Sequence, residues 1–138
     1  MVPTAPDPDN AGVGKLIPIF FYPPLRKIIF INNLEQLMEA NVAIQVLPKA
    51  ENDDELCRIV DEVIAYIKST GLNYFVGPCE TSIEGDYDKL MEVVKNCQLI
   101  AIQAGAPEVS SYVKINFRPK GQVLTIEKKT GKYHKNQG

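Results

Sequence analysis

Two long segments of the chain place apolar residues at the spacing of an amphipathic α-helix. The first helix is predicted to begin after Asn52, an N-cap residue with Glu55 three positions later, and to end before Gly71. The second is predicted to begin after Asp86 and to end before Gly105. The apolar stripes of the two helices are Leu56, Ile59, Val60, Val63, Ile64 and Ile67, and Tyr87, Leu90, Met91, Val94, Cys97, Ala101 and Ala104.

Four shorter segments lie between turn residues and are predicted to be strands, because apolar and polar positions alternate along three of them. They cover residues 41–47, 73–76, 79–84 and 109–117. The element order is strand, helix, strand, strand, helix, strand, which is the split βαβ pattern of the ferredoxin-like fold. We therefore predict an α+β protein, a ferredoxin-like βαββαβ sandwich. Its antiparallel sheet has the order 4-1-3-2 and carries two helices on one face.

The third predicted strand has the most unusual polar pattern in the chain. Successive strand side chains face opposite sides of a sheet, and Ile83 belongs to the core. Glu80, Ser82 and Glu84 should therefore lie on the face away from the helices. Two carboxylates that flank a hydroxyl there favour a ligand site, although any half-exposed strand shows the same alternation for solvation alone.

The sheet face away from the helices, called the open face below, is mixed in character. The first strand places Gln45 there between Ala43 and Leu47, and the last strand adds Tyr112 and Lys114. Such a face usually contacts a ligand, another subunit or both. Because Ala43, Leu47 and Tyr112 are poor candidates for full exposure, we predict a homodimer or homotetramer that forms by sheet-face or edge contacts.

The chain has 138 residues, which is enough for one domain with a substantial core. Residues 1–38 lack periodicity and contain two apolar runs broken by prolines, so we predict a poorly ordered N-terminal appendage. Residues 39–130 are predicted to form the folded domain, and residues 131–138 a frayed basic tail. Neither apolar run approaches the ~20 residues that span a bilayer, and the first residues lack the pattern of a signal peptide. We therefore predict no membrane partner.

Charge is unevenly distributed along the chain, although the formal net charge is only −2. Residues 51–92 contain eleven acidic and three basic residues, whereas residues 114–138 contain seven basic residues and one acidic residue. We attribute this skew to internal pairing and a solvated basic tail. A nucleic-acid surface normally combines a more basic domain with interleaved aromatic residues, so we predict no nucleic-acid partner.

Three widely spaced cysteines, Cys57, Cys79 and Cys97, match neither a disulfide framework nor a zinc site. This usage favours a reducing, cytoplasmic setting. Cys57 and Cys97 fall on apolar helix faces, where buried thiols are common, so we expect both side chains to be buried.

Signals of catalysis are weak. The one histidine, His134, lies in the predicted tail, and the sequence contains no phosphate-binding glycine loop, Ser-His-Asp set or metal-ligand cluster. Glu80 and Glu84 are about 13 Å apart at Cα along a strand, which is too far to share a proton directly. We therefore predict a protein that is not an enzyme. A small ferredoxin-like isomerase and a structural subunit without a ligand are the alternatives.

Short motifs at the boundaries of the predicted elements carry a family resemblance. They are Val46-Leu47-Pro48, Gly71-Leu72-Asn73-Tyr74, Thr81-Ser82-Ile83-Glu84-Gly85, Ala104-Gly105-Ala106, Lys114-Ile115 and Arg118. In these positions the chain resembles the thiamine-binding protein family, over about residues 40–130. The resemblance implies binding of thiamine or its hydroxymethylpyrimidine moiety, no catalysis, no cofactor besides that ligand, and assembly as dimers or tetramers through the sheets.

The resemblance places Thr81, Glu84 and Gly85 at motif positions, and Glu80 where the family often has a small residue. An aminopyrimidine has an amine donor and ring-nitrogen acceptors, which pair with carboxylate, amide and hydroxyl groups. A thiazolium cation is favoured by a nearby carboxylate and by an aromatic face. The predicted ligand-binding residues are Gln45, Glu80, Thr81, Ser82, Glu84, Tyr112 and Lys114, with no metal site.

Two of these residues have an equally simple structural interpretation. Thr81 is expected either to contact the ligand or to bond the backbone from the core face, and Glu84 is expected either to contact the ligand or to pair with Lys114. If Glu84 and Ser82 contact the ligand, Glu84→Gln and Ser82→Ala should weaken binding and leave the melting temperature nearly unchanged.

Overall fold

The computed structural model describes residues 38–135. The elements in this range follow the predicted order, with one further helix at the C-terminal end. The strands are β1 (Ala40–Pro48), β2 (Asn73–Val76), β3 (Thr81–Gly85) and β4 (Val109–Phe117), and the helices are α1 (Asp53–Ser69), α2 (Tyr87–Gln103) and α3 (Ile126–His134).

The four strands form one antiparallel sheet in the order β2-β3-β1-β4, so the predicted ferredoxin-like topology is confirmed. β1 pairs with β4 along its whole length, from Ala40 opposite Phe117 to Pro48 opposite Val109. The pairing between β3 and β1 covers only the first part of β1, up to Ile44 opposite Thr81. Within the described residues, the last part of β1 therefore has a strand on one side only.

The first two helices begin where the sequence predicts them. The side chain of Asn52 accepts a hydrogen bond from the Glu55 amide at 2.9 Å, and the side chain of Asp86 accepts one from the Lys89 amide at 2.9 Å. Both contacts satisfy amides that a helix leaves without partners at its first turn. Gly71, which follows α1, has a φ of 72°, the left-handed conformation that ends many helices.

The hydrophobic core lies between the sheet and the α1 and α2 helices, and it is almost entirely aliphatic. Its fully buried side chains include alternate residues of the two central strands, which confirms the predicted core face. The buried core residues are Ala40, Val42, Ile44, Ile59, Val63, Ile67, Leu72, Ile83, Leu90, Val93, Cys97, Ala101 and Ala106. Packing therefore fixes this face of the sheet and leaves the open face available for other contacts.

Two local predictions were wrong. Cys57 is exposed, because its position on α1 lies beside the apolar stripe and only Ile59, Val63 and Ile67 of that helix are buried. Residues 131–134 are not a frayed tail, since they continue α3 to His134. The Thr125 hydroxyl caps this helix by accepting a hydrogen bond from the Lys128 amide at 3.2 Å.

The predicted N-terminal appendage, residues 1–38, lies outside the described residues except for Met38. The Met38 carbonyl accepts a hydrogen bond from the Val123 amide at 2.9 Å, which brings the segment before α3 next to the start of β1. Among residues 38–135, none of the helices combines the length and apolar character needed to span a membrane.

Candidate ligand-binding site

A cavity of about 240 Å³ lies on the open face, between the sheet and α3. All four strands or their ends contribute to its floor, and α3 forms one wall. The lining residues are Asn41, Val42, Ala43, Phe75, Glu80, Ser82, Lys114, Asn116, Ile126, Lys129 and Thr130. Of the seven predicted ligand-binding residues, this open-face cavity brings together three: Glu80, Ser82 and Lys114.

The register of the sheet explains why the cavity is there. Ala43 on β1 lies opposite Ser82 on one side and Lys114 on the other, and Ser82 lies opposite Phe75. These four residues form one row across the sheet, called the cavity row below. Because the side chain of Ala43 is a single methyl group, the centre of the row is low and leaves space between its longer neighbours.

The neighbouring row, called the anchor row, consists of Asn73, Glu84, Asn41 and Asn116. Its side chains bond to one another and to the start of α3. Asn73 Nδ2 donates to Glu84 Oε1 at 2.5 Å, and Asn116 Nδ2 donates to Asn41 Oδ1 at 3.0 Å. Asn41 Nδ2 donates to the Leu124 carbonyl at 3.3 Å. The row therefore ties the segment before α3 to the open face.

Glu84 has a structural role that its strand position alone did not reveal. Its side chain is 1% exposed, and its second carboxylate oxygen accepts a hydrogen bond from the Ile126 amide at 2.7 Å. A carboxylate at this point complements the positive end of the α3 dipole. Glu84 does not line the cavity. Its carboxylate instead holds α3 on the sheet through the bond to the Ile126 amide. The expectation that Glu84 pairs with Lys114 was wrong.

Lys114 pairs instead with Glu80, the residue directly before β3. Lys114 Nζ donates to Glu80 Oε1 at 2.8 Å, and the two side chains are 73% and 35% exposed. An ion pair at this exposure contributes little to stability, about 0–1 kcal/mol, because water competes with both partners. Both side chains line the open-face cavity, so either can exchange this contact for a ligand at low cost.

The sequence does not reveal the wall formed by α3, because residues 123–129 are compatible with either a short strand or a helix and the basic residues after them suit a solvated tail. Lys129 and Thr130 face the cavity from this helix, and His134 at its end lies 5.1 Å from Phe75 between ring centroids. A helix signal was present in the sequence. Thr125 precedes an acidic first turn with Glu127, and basic residues occupy the last turn, which suits the helix dipole.

The remaining predicted residues lie elsewhere. Thr81 is buried and, like Gln45, lines a second groove of about 260 Å³ next to α1, which Glu80 also lines. This groove is mostly aliphatic, with Leu56, Val60 and Ile64 among its residues. Tyr112 is 67% exposed on β4 and lines neither cavity. The seven predicted residues are thus distributed as follows: Ser82 and Lys114 line only the open-face cavity, Gln45 and Thr81 only the second groove, Glu80 both, and Glu84 and Tyr112 neither.

The thiols fall into two chemical environments. Burial raises the pKa of the Cys97 thiol from 9.0 to about 12, so this side chain is a neutral core group. Cys57 and Cys79 are exposed free thiols. In the described part of the chain, no group of three or more His, Cys, Asp or Glu side chains is arranged to hold a metal ion.

Comparison with known proteins gives consistent matches over the folded region. A family model described as thiamine-binding protein matches residues 42–134. A UPF0045 protein from Clostridium perfringens is 48% identical over 93 residues, which cover 67% of this chain and 95% of that protein. Among solved structures, a DUF77 domain of unknown function from Bacillus cereus is 38% identical with a TM-score of 0.62, and the match covers 70% of this chain and 90% of that chain.

A second solved structure has a more informative name. It is a Thermotoga maritima protein named for a suggested part in thiamine biosynthesis or salvage. It is 34% identical, the match covers 68% of this chain and 97% of that chain, and the TM-score is 0.60.

Proposed function

The chain belongs to the thiamine-binding protein family, and on that premise we propose that it binds thiamine or its hydroxymethylpyrimidine moiety without catalysis, in the open-face cavity. The family supports a thiamine-related role for this chain. The location is supported by the cavity row, in which a hydroxyl, an aromatic ring and the Lys114 ammonium group surround the low floor at Ala43, with Glu80 paired to Lys114 beside it.

The chemistry of the lining suits an aminopyrimidine. The exocyclic amine of such a ring needs an acceptor and the ring nitrogens need donors, and Ser82 and Asn116 provide groups of both kinds. The side chain of Phe75 gives one aromatic surface for offset stacking with the ring. At about 240 Å³ the cavity suits the pyrimidine ring that thiamine and hydroxymethylpyrimidine share, since pockets for drug-sized ligands are larger, roughly 300–1,000 Å³.

The test is calorimetric titration of the full chain with thiamine and with hydroxymethylpyrimidine, compared with Ser82→Ala. Loss of one neutral hydrogen bond should weaken binding roughly two- to tenfold. Ser110→Ala is the matched control, because Ser110 is exposed on the same face of the sheet but lies outside the cavity. Equal affinity in the parent and Ser82→Ala would move the site away from the cavity row. No heat with either compound would contradict the proposed function.

We also propose that the protein is a homo-oligomer in a reducing, cytoplasmic setting. β4 lies at the edge of the sheet in the described residues, and its nine residues include the exposed side chains of Tyr112, Ile115 and Phe117. A long edge strand with exposed apolar side chains readily pairs with a second copy. The exposed thiols of Cys57 and Cys79 suit a reducing compartment. Light scattering at micromolar concentration should give at least a dimer mass, and a monomer mass would contradict the assembly.

A further inference from the structure

The charged groups that line the open-face cavity are few, and their sum is positive. Glu80 contributes one negative charge, whereas Lys114 and Lys129 contribute two positive charges, which leaves a net charge of +1. The cavity is therefore more positive than the chain as a whole, whose net charge is −2. A cleft lined with an excess of one charge raises the local concentration of ligands of the opposite charge, here anions.

Lys129 accounts for the excess positive charge. Lys114 donates to Glu80, but within residues 38–135 the ammonium group of Lys129 forms no ion pair with a carboxylate. Lys129 lies on α3, the helix that the anchor row holds against the sheet. The basic C-terminal region is therefore not entirely a solvated tail, since it places part of its charge at the cavity.

Of the two carboxylates that favoured a cationic ligand in the sequence, only Glu80 lines the cavity. Glu84 accepts hydrogen bonds from Asn73 and from the Ile126 amide. Glu80 already pairs with Lys114. A thiazolium cation in this cavity would therefore meet an excess of ammonium groups, whereas an anionic substituent would meet two of them.

We propose, on the premise of the proposed function, that the cavity selects the phosphomonoester of its pyrimidine ligand over the free alcohol. The phosphate lies between Lys114 and Lys129, and the ring lies toward Ser82 and Phe75. A phosphomonoester carries a charge of about −1.5 to −2 at pH 7 and three strong acceptor oxygens. Lysine is a common partner for such a group because it acts as a mobile point charge.

The first test compares three compounds by calorimetric titration of the full chain at low salt: hydroxymethylpyrimidine, its phosphate and thiamine. The phosphate should bind about tenfold or more tightly than its parent alcohol, as expected for a charge-assisted contact. The preference should shrink as salt is raised, because both lysines are near the surface. Equal affinities, or tighter binding of the alcohols, would overturn the inference and leave the proposed function standing.

The second test changes the charge of the cavity in steps. Lys129→Gln takes the lining charge from +1 to 0, and Glu80→Gln takes it from +1 to +2. The ratio of phosphate to alcohol affinity should fall about tenfold in the first variant and rise severalfold in the second. Lys128→Gln is the matched control, since this lysine is adjacent on α3 but does not line the cavity.

The outcomes separate the two proposals. Two outcomes contradict phosphate selection only. In the first, the alcohols bind and the phosphate binds no more tightly; in the second, the ratio of phosphate to alcohol affinity is the same in the parent, Lys129→Gln and Glu80→Gln. If neither the alcohols nor the phosphate binds, the proposed function fails together with the inference. Thermal unfolding of each variant checks that the fold is kept, because Lys129 and Lys128 are exposed and Glu80 is only partly buried.

Discussion

The two faces of the sheet differ in what their side chains do. On the helix-covered face, Val42, Ile44 and Ile83 pack into an aliphatic core and contribute burial alone. On the open face, two neighbouring rows of residues have different roles: the anchor row holds α3 by hydrogen bonds, and the cavity row leaves a polar space beside it. Burial on the covered face therefore contributes to stability, whereas on the open face the anchor row is structural and the cavity row leaves space for the proposed ligand.

The largest expected effect comes from the covered face. Ile83 is 0% exposed, so Ile83→Ala removes core contacts and leaves a cavity, at a cost of about 2–5 kcal/mol in the free energy of unfolding. Ser82→Ala, one residue earlier on the same strand, should change this free energy by less than about 0.5 kcal/mol, as is usual for surface substitutions. Urea unfolding measures both values. If the two variants lost similar amounts of unfolding free energy, the two faces would not differ in their contribution to stability.

Glu84→Gln should destabilise the protein although Glu84 lies on the open face. This residue is therefore an exception to the difference between the two faces. One carboxylate oxygen becomes an NH₂ group, so either Asn73 or the Ile126 amide loses its acceptor. The expected cost is about 1–3 kcal/mol, which revises the sequence-based expectation that this change leaves the melting temperature unaltered.

Hydrogen exchange locates the damage caused by Glu84→Gln. Amides of α3 should lose protection first, since this helix depends on the anchor row. Glu92→Gln, an exposed position on α2, is the control. Unchanged protection of α3 in Glu84→Gln would show that the carboxylate does not anchor the helix.

A smaller effect follows from the thiol buried on the covered face. The folded protein keeps Cys97 protonated up to a pKa of about 12, whereas the unfolded chain loses this proton near the ordinary value of 9.0. The folded state therefore binds more protons between these values, and the free energy of unfolding falls as pH rises above 9.0. The slope from this group is at most about 1.4 kcal/mol per pH unit.

Cys97→Ala isolates this contribution from other groups that titrate at alkaline pH. The variant should start less stable near neutral pH and lose less stability than the parent between about pH 9 and 11, as measured by urea unfolding at each pH. Parallel pH profiles in the parent and the variant would mean that the thiol titrates alike in the folded and unfolded states.

The covered face was predictable because it depends on periodicity. The spacing of Leu90, Cys97 and Ala101 predicted the buried side of α2, and the alternation of Val42 and Ile44 predicted the core side of β1. Cys57 and Val93 were exceptions, the first exposed and the second buried, since positions at the margin of a helical stripe depend on how the helix rotates against the sheet. Such rotation is set by tertiary packing, which a helical period does not encode.

The site was only partly predictable, because it depends on register and on the path of the C-terminal segment. The alternation along β3 placed Ser82 and Glu84 on the open face, but it did not tell that Ser82 lies in the cavity row and Glu84 in the anchor row. That difference arises from α3, whose first amide bonds Glu84. Thr81 and Gln45 line the groove beside α1 because the pairing of β3 with β1 ends at Thr81 opposite Ile44, which leaves Gln45 without a partner on β3.

We propose that the ligand occupies the open-face cavity under α3. The most direct measurement is the change in backbone amide NMR shifts of the ¹⁵N-labelled full chain on titration with hydroxymethylpyrimidine or its phosphate. We expect the largest changes in amide shift at Ala43, Ser82 and Lys129, and little change in the shifts of residues at the groove beside α1. Changes concentrated at Cys57, Val60 and Val76, which line that second groove, would contradict it.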